Sequence, residues 1–164
     1  MSPTGHLAIG FMAKKFTPKT NVLILLVAAY LIDLLHFFFA ITGLDKAGYS
    51  PWSHSLLMAM VWSVLAVLIT ILLTKKYRVS TILGLVVFSH WILDFLVWDN
   101  LPLGFNNTTT VGLGFYNMIG FDPSNIQFDF SLITATALET GLLILGLLIY
   151  LRVRKKQRIQ TELT

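Results

Sequence analysis

Four stretches of this chain, residues 21–40, 54–74, 79–98 and 130–151, are long and apolar enough to cross a bilayer. A hydrocarbon core ~30 Å thick takes about 20 helical residues. Inside it, backbone polar groups have to be satisfied within the segment itself, which an α-helix does. The architecture that meets both conditions is an all-α polytopic membrane bundle, read here as one domain over residues 1–164. Charged residues make up only 12% of the chain, about half the share of an ordinary soluble domain. Cysteine is absent, which excludes disulfides, thiolate metal sites and cysteine nucleophiles.

The intervening segments are shorter or more polar. Thr4 to Ala13 is apolar but too short to span, and reads as a re-entrant, interfacial or short buried helix. The run from Asn21 contains Asp33 and His36 and has no small-residue cleavage site, so it reads as a span and not a signal peptide. Asn21 is a candidate cap for the first span, and Ser53 for the second, which starts near His54. Leu44 to Trp52 is a polar connector. Asp99 to Asp129 is a loop rich in Gly, Asn, Thr and Pro, of a length that is usually functional or disordered. Its Asp99, Asp122 and Asp129 read as solvated or turn-forming. Arg152 to Arg158 opens a polar tail, 152–164, that reads as an anchor on anionic lipid.

Basic residues orient the chain. Lys14, Lys15 and Lys19 precede span one, Lys75, Lys76 and Arg78 join spans two and three, and the last cluster follows span four. With four spans all three groups share one side, which the positive-inside rule makes cytoplasmic. Trp52 and Trp98 then sit at the outer interface, which suits the indole ring. The net charge of +4 is accounted for by these clusters, and no nucleic-acid surface is expected.

Against this background the ionisable residues within the spans stand out. His90 and Asp94, four residues apart, share one face of span three. Asp33 lies twelve residues above the inner end of span one, roughly 18 Å up, with His36 about one turn higher. Glu139 falls near the middle of span four, and His54 sits at the outer head of span two. His6 joins them if the short N-terminal helix rises into the bundle. Such groups are costly in hydrocarbon and mark partners, metals or water paths. No lysine or arginine lies within the spans to pair with the acids. Imidazole and carboxylate together suit zinc, manganese or iron. His6, Asp33, His36, His54, His90, Asp94 and Glu139 are therefore candidate ligands for one or more divalent ions. Packing readings stand beside this one. A lone intramembrane histidine is usually a helix–helix hydrogen-bond donor, and a stacked pair such as His90 and Asp94 can simply bond across helices. His36, followed by three phenylalanines, fits an interface equally well.

Several motifs carry a family resemblance: Thr4-Gly5-His6-Leu7-Ala8, Leu31-Ile32-Asp33-Leu34-Leu35-His36, Ser53-His54-Ser55-Leu56-Leu57 and Ser89-His90-Trp91-Ile92-Leu93-Asp94-Phe95. In this order they resemble the prokaryotic YdjM-like, LexA-regulated inner-membrane proteins described as metal-dependent hydrolases. That group is regarded as distantly similar to zinc-dependent phospholipase C and the P1-type nucleases. Asp99-Asn100-Leu101-Pro102-Leu103, Gly112-Leu113-Gly114-Phe115 and Glu139 resemble features of one subgroup. The chain has Leu35 where better-known members carry a second Asp before the histidine, and Tyr49-Ser50-Pro51 where they carry His-Arg-Gly. The resemblance implies a multi-pass inner-membrane protein with zinc, or another divalent metal such as manganese, bound by histidines and carboxylates. It implies hydrolysis, and a site near the outer leaflet suggests a lipid or lipid-linked phosphoester. In that reading whichever of Glu139 and Asp33 is not a ligand is the general base, His36 is a further ligand or supports one, and the 99–129 loop is a lid or substrate-entry element. The alternative is a small oligomeric transporter or channel subunit with an intramembrane acid/histidine relay. A membrane scaffold glued by its polar groups is the third option.

Overall fold

The computed structural model describes residues 3–46, 49–105, 109–122 and 126–162. Its elements are α1 (Pro3–Ala13), α2 (Val22–Ile41), α3 (Pro51–His54), α4 (Leu56–Thr74), α5 (Tyr77–Val97), β1 (Leu101–Pro102), β2 (Thr110–Val111), α6 (Phe115–Met118) and α7 (Phe130–Glu162). Four of them, α2, α4, α5 and α7, are long and apolar enough to cross a membrane. The protein is an all-α polytopic bundle, and the four spans fall where the apolar runs place them. Only 6% of the most apolar stretch of α4 is buried within the protein. Such a surface is stable against acyl chains and not against water.

The core follows helical spacing. Leu25, Ala28, Ala29 and Ile32 form one stripe of α2, and Leu83, Val86 and Val87 form one stripe of α5. These positions recur at i, i+3, i+4 and i+7, the signature of a single buried face. Continuing the α5 stripe brings His90 and Asp94 to the same interface, and continuing the α2 stripe brings Asp33 and His36 to it. The ionisable groups thus lie where the apolar core ends.

The short N-terminal segment is a buried helix. α1 packs against α7, α2 and α5, and presents small residues to do so. A Cβ at Gly146 would lie 2.6 Å from the Ala8 carbonyl oxygen, and one at Gly10 would lie 2.9 Å from Leu26 Cδ2. Without hydrophobic drive between helices in lipid, such close approach is what holds helices together. Turning back after α1, the chain starts α2 at Asn21, whose side chain accepts from Leu23 N–H.

One expectation is corrected and two segments gain detail. The second span is not capped by Ser53. Pro51 starts a separate turn, α3, and the chain becomes extended at Ser55, whose hydroxyl accepts from Met58 N–H and caps α4. The connector before it is not simply solvated: Asp45 is only 2% exposed. The long segment after α5 is not structureless either. It forms an antiparallel β1–β2 ribbon and the short α6, and is tied down by Leu113 N–H to Phe95 O (2.7 Å) and Leu57 N–H to Leu103 O (3.1 Å). The fourth helix runs on through the basic cluster to Glu162. At 33 residues it is ~50 Å long and overreaches a ~30 Å core.

Candidate metal centre

Five side chains from four helices converge at the end of the core away from the basic turns. His6 comes from α1, Asp33 from α2, His54 from α3, and His90 and Asp94 from α5. Four ligand-type atoms form a closed ring. Asp33 Oδ1 lies 3.4 Å from His54 Nε2 and 3.4 Å from His90 Nε2, and Asp94 Oδ2 lies 3.5 and 3.4 Å from the same two nitrogens. His6 Nε2 approaches the other oxygen of Asp94, Oδ1, at 3.4 Å. Its ring stacks on His90 with centroids 3.6 Å apart. Two overlapping groups, His6–Asp33–His90 and His54–His90–Asp94, each have ligand atoms within 4.8 Å of one another.

Hydrogen bonding behind the rings fixes which nitrogens face inward as bases. His90 Nδ1 lies 2.9 Å from the Ala29 carbonyl oxygen. A carbonyl only accepts, so Nδ1 carries the proton and donates it. His54 Nδ1 lies 2.8 Å from Ser53 Oγ, which in turn lies 2.5 Å from Asp45 Oδ2. An ionised carboxylate only accepts, so Ser53 donates to Asp45 and accepts from His54. In the neutral imidazoles, both Nε2 atoms then turn lone pairs toward carboxylate oxygens. His90 Nε2 is buried and, among the described residues, makes no hydrogen bond of good geometry.

Lone pairs facing carboxylates repel unless a metal ion, or a proton carried by one of the rings, sits between them. The spacing suits the metal ion. Separations of 3.4–3.5 Å exceed the ~2.7–3.2 Å of an N–H···O hydrogen bond. Ligands about 2.1 Å from a tetrahedral ion are about 3.4 Å apart along each edge, the separation found for the four histidine–carboxylate pairs. The donor set, imidazoles and carboxylates, is of a kind that could hold a divalent metal ion. His6, on the far oxygen of Asp94, extends the donors toward a second position.

The remaining candidates lie apart from the ring. His36 Nδ1 is 3.4 Å from Asp45 Oδ2 and 3.3 Å from Ser53 Oγ, and its ring meets that of His54 edge-on at 5.2 Å. It stands behind His54, at the rim. Glu139 is 5% exposed on α7 and belongs to neither group of ligand atoms. Its carboxylate accepts from Thr4 Oγ at 2.8 Å and from the Tyr116 hydroxyl. It therefore links α7 to α1 and α6. Asp99 accepts from Asn117 Nδ2 at 2.6 Å, and Asp129 caps α7 through Leu132 N–H.

Asp45, Ser53 and Tyr116 are functional-site neighbours that sequence reasoning does not single out. Ser53 adjoins a candidate ligand, which is a weak signal. Asp45 in a polar connector and Tyr116 in a long loop carry none.

A cavity of about 340 Å³ opens onto the ring, lined by Asp33, His36, Ser50, His54, Asp94, Trp98, Asn100, Leu101 and Pro102. The β1 strand thus forms part of its wall. Trp91 Nε1 donates to the His54 carbonyl at 3.0 Å and pins α3 to α5. No family model, curated protein or solved structure matches this chain.

Proposed function

We propose that this protein is a membrane-embedded metal-dependent hydrolase acting on a lipid or lipid-linked phosphoester. The observation that carries the reading is the inward-facing pair of Nε2 atoms, each 3.4–3.5 Å from two carboxylates with no basic side chain among them. In this reading Asp33, His54, His90 and Asp94 hold one divalent ion, with His6 available to a second. A bound zinc or manganese ion supplies Lewis acidity and a water acidic enough to ionise near neutral pH.

The protein's own residues do the rest. Ala29 O and the Ser53–Asp45 pair hold the two rings in the ligating tautomer. Asp33 turns Oδ1 to the two imidazoles and lines the cavity, so its second carboxylate oxygen is the one left to take a proton from the attacking water. Glu139, bound by Thr4 and Tyr116, fastens α1 and α6 to the bundle. Trp98 and Leu101 give the cavity an apolar side suited to a lipid-linked substrate, and Ser50 and Asn100 give it hydrogen-bonding groups. With the basic end in the cytoplasm, the cavity opens toward the outer leaflet of a prokaryotic inner membrane.

Elemental analysis of the detergent-purified protein tests this reading. Near-stoichiometric zinc or manganese, lost in both His54→Ala and His90→Ala, together with metal-dependent phosphoester hydrolysis, is the expected result. Metal-free protein that conducts protons in liposomes would overturn it in favour of an acid/histidine relay.

A further inference from the structure

The opposite end of the bundle carries a second built feature, independent of the metal centre. A groove of about 690 Å³ runs between the α1–α2 turn and the ends of α4 and α5. Its mouth bears Lys19, Lys76 and Arg78, and its walls include Ile24, Leu73 and Leu83. None of the chain's eight acidic residues lines it. Among the described residues the three cationic heads have no carboxylate or hydrogen-bond partner. Lys14, close by, is spent on the Thr20 carbonyl.

Charge and apolarity are therefore combined in one groove. Ile24 is 51% exposed and Leu73 79% exposed, beside cations at the rim. A free anion would use the rim and leave the wall wet. A neutral or zwitterionic lipid would use the wall and bring no net charge to the rim. We infer that this groove binds a phospholipid of net negative head group, with the phosphate among Lys19, Lys76 and Arg78 and an acyl chain along Ile24 and Leu73. Basic pockets beside membrane helices recognise such head groups through this combination.

The test is native mass spectrometry of the full-length protein with phosphatidylglycerol or phosphatidylcholine of identical acyl chains. One retained phosphatidylglycerol, bound in preference to phosphatidylcholine, is expected. Combining Lys19→Gln, Lys76→Gln and Arg78→Gln should weaken it by about fivefold per charge removed. All three side chains are exposed, so the bundle should remain intact. The control Lys155→Gln/Lys156→Gln/Arg158→Gln removes as many charges from the α7 tail outside the groove, and should weaken retention by much less than the groove variant does. Equal losses in both variants would overturn the site in favour of diffuse surface attraction. Displacement of the lipid by millimolar inorganic phosphate would overturn it in favour of a free-anion site. Dimers abolished by the groove variant, with no lipid retained, would show the occupant to be a second copy. None of these outcomes depends on metal binding or hydrolysis.

Discussion

Ser53→Ala tests whether the centre is held from behind. Ser53 is fully buried, and its hydroxyl joins His54 Nδ1 at 2.8 Å to Asp45 Oδ2 at 2.5 Å. Removing one oxygen breaks both of these links and the 3.3 Å contact with His36 Nδ1, and full burial leaves little room for water to replace it. His54 loses the acceptor that fixes its tautomer and ring angle, while its Nε2 keeps the same neighbours. Outer partners of this type are worth about 10–100-fold in metal affinity, or ~1.4–2.7 kcal/mol. The metal-free fold should suffer less, by about 1 kcal/mol. Asp45 retains Trp52 N–H at 3.0 Å and the contact with His36. Zinc affinity is measured by competition with a chromophoric chelator in detergent. Apo stability is measured by melting in excess chelator. A variant that binds zinc within about twofold of the parent, with an unchanged apo melt, would refute the argument. Packing against His36 would then be sufficient to set the His54 ring.

Three further outcomes are expected. Asp94→Asn, which changes the one side chain touching His6, His54 and His90 together, should lower zinc affinity by more than about 100-fold, beyond the range of an outer partner. Gly146→Val should force α7 off the Ala8 backbone, lowering stability by ~1–3 kcal/mol and metal content with it; Gly141→Val, where a Cβ meets nothing within 4 Å, should do neither. Bonds from the Ser131 hydroxyl and Leu132 N–H hold the Asp129 carboxyl below its ordinary range. Its cap on α7 should therefore be intact above about pH 4, and be lost as the pH falls through the lower folded value. Hydrogen exchange at Leu132 and Ile133 reads this, and Asp129→Asn should abolish the pH dependence while keeping a cap.

How much was visible in the sequence depends on the range over which each feature is specified. Spans declare themselves because twenty consecutive apolar residues are a local property. The stripe that carries His90 and Asp94 to the core is likewise local, since helical spacing fixes a face. Convergence with His6 and His54 was suggested by depth alone. Nothing in the spacing said that His54 would sit on its own helical turn. That depends on Pro51 starting α3 and on Ser55, not Ser53, becoming the cap. Two serines flank the histidine, and only tertiary contacts decide which hydroxyl caps and which supports. Asp45 was illegible for the same reason, as its burial follows from that exchange of roles. Glu139 was legible as an intramembrane acid, but its partners Thr4 and Tyr116 come from segments 135 and 23 residues away.

The placement of α1 has a consequence for biogenesis. This helix is translated well before α7, yet α7 is its broadest neighbour. At ~5–20 residues per second, the interval between synthesis of the two is on the order of 10 s. During that interval His6 has no finished groove to occupy, and the nascent N-terminal helix has to wait, unseated, for the last span to arrive. Seating of α1, and with it His6, is thus coupled to synthesis of α7, and a ribosome stalled before α7 would leave a threaded protein with its N-terminal helix undocked.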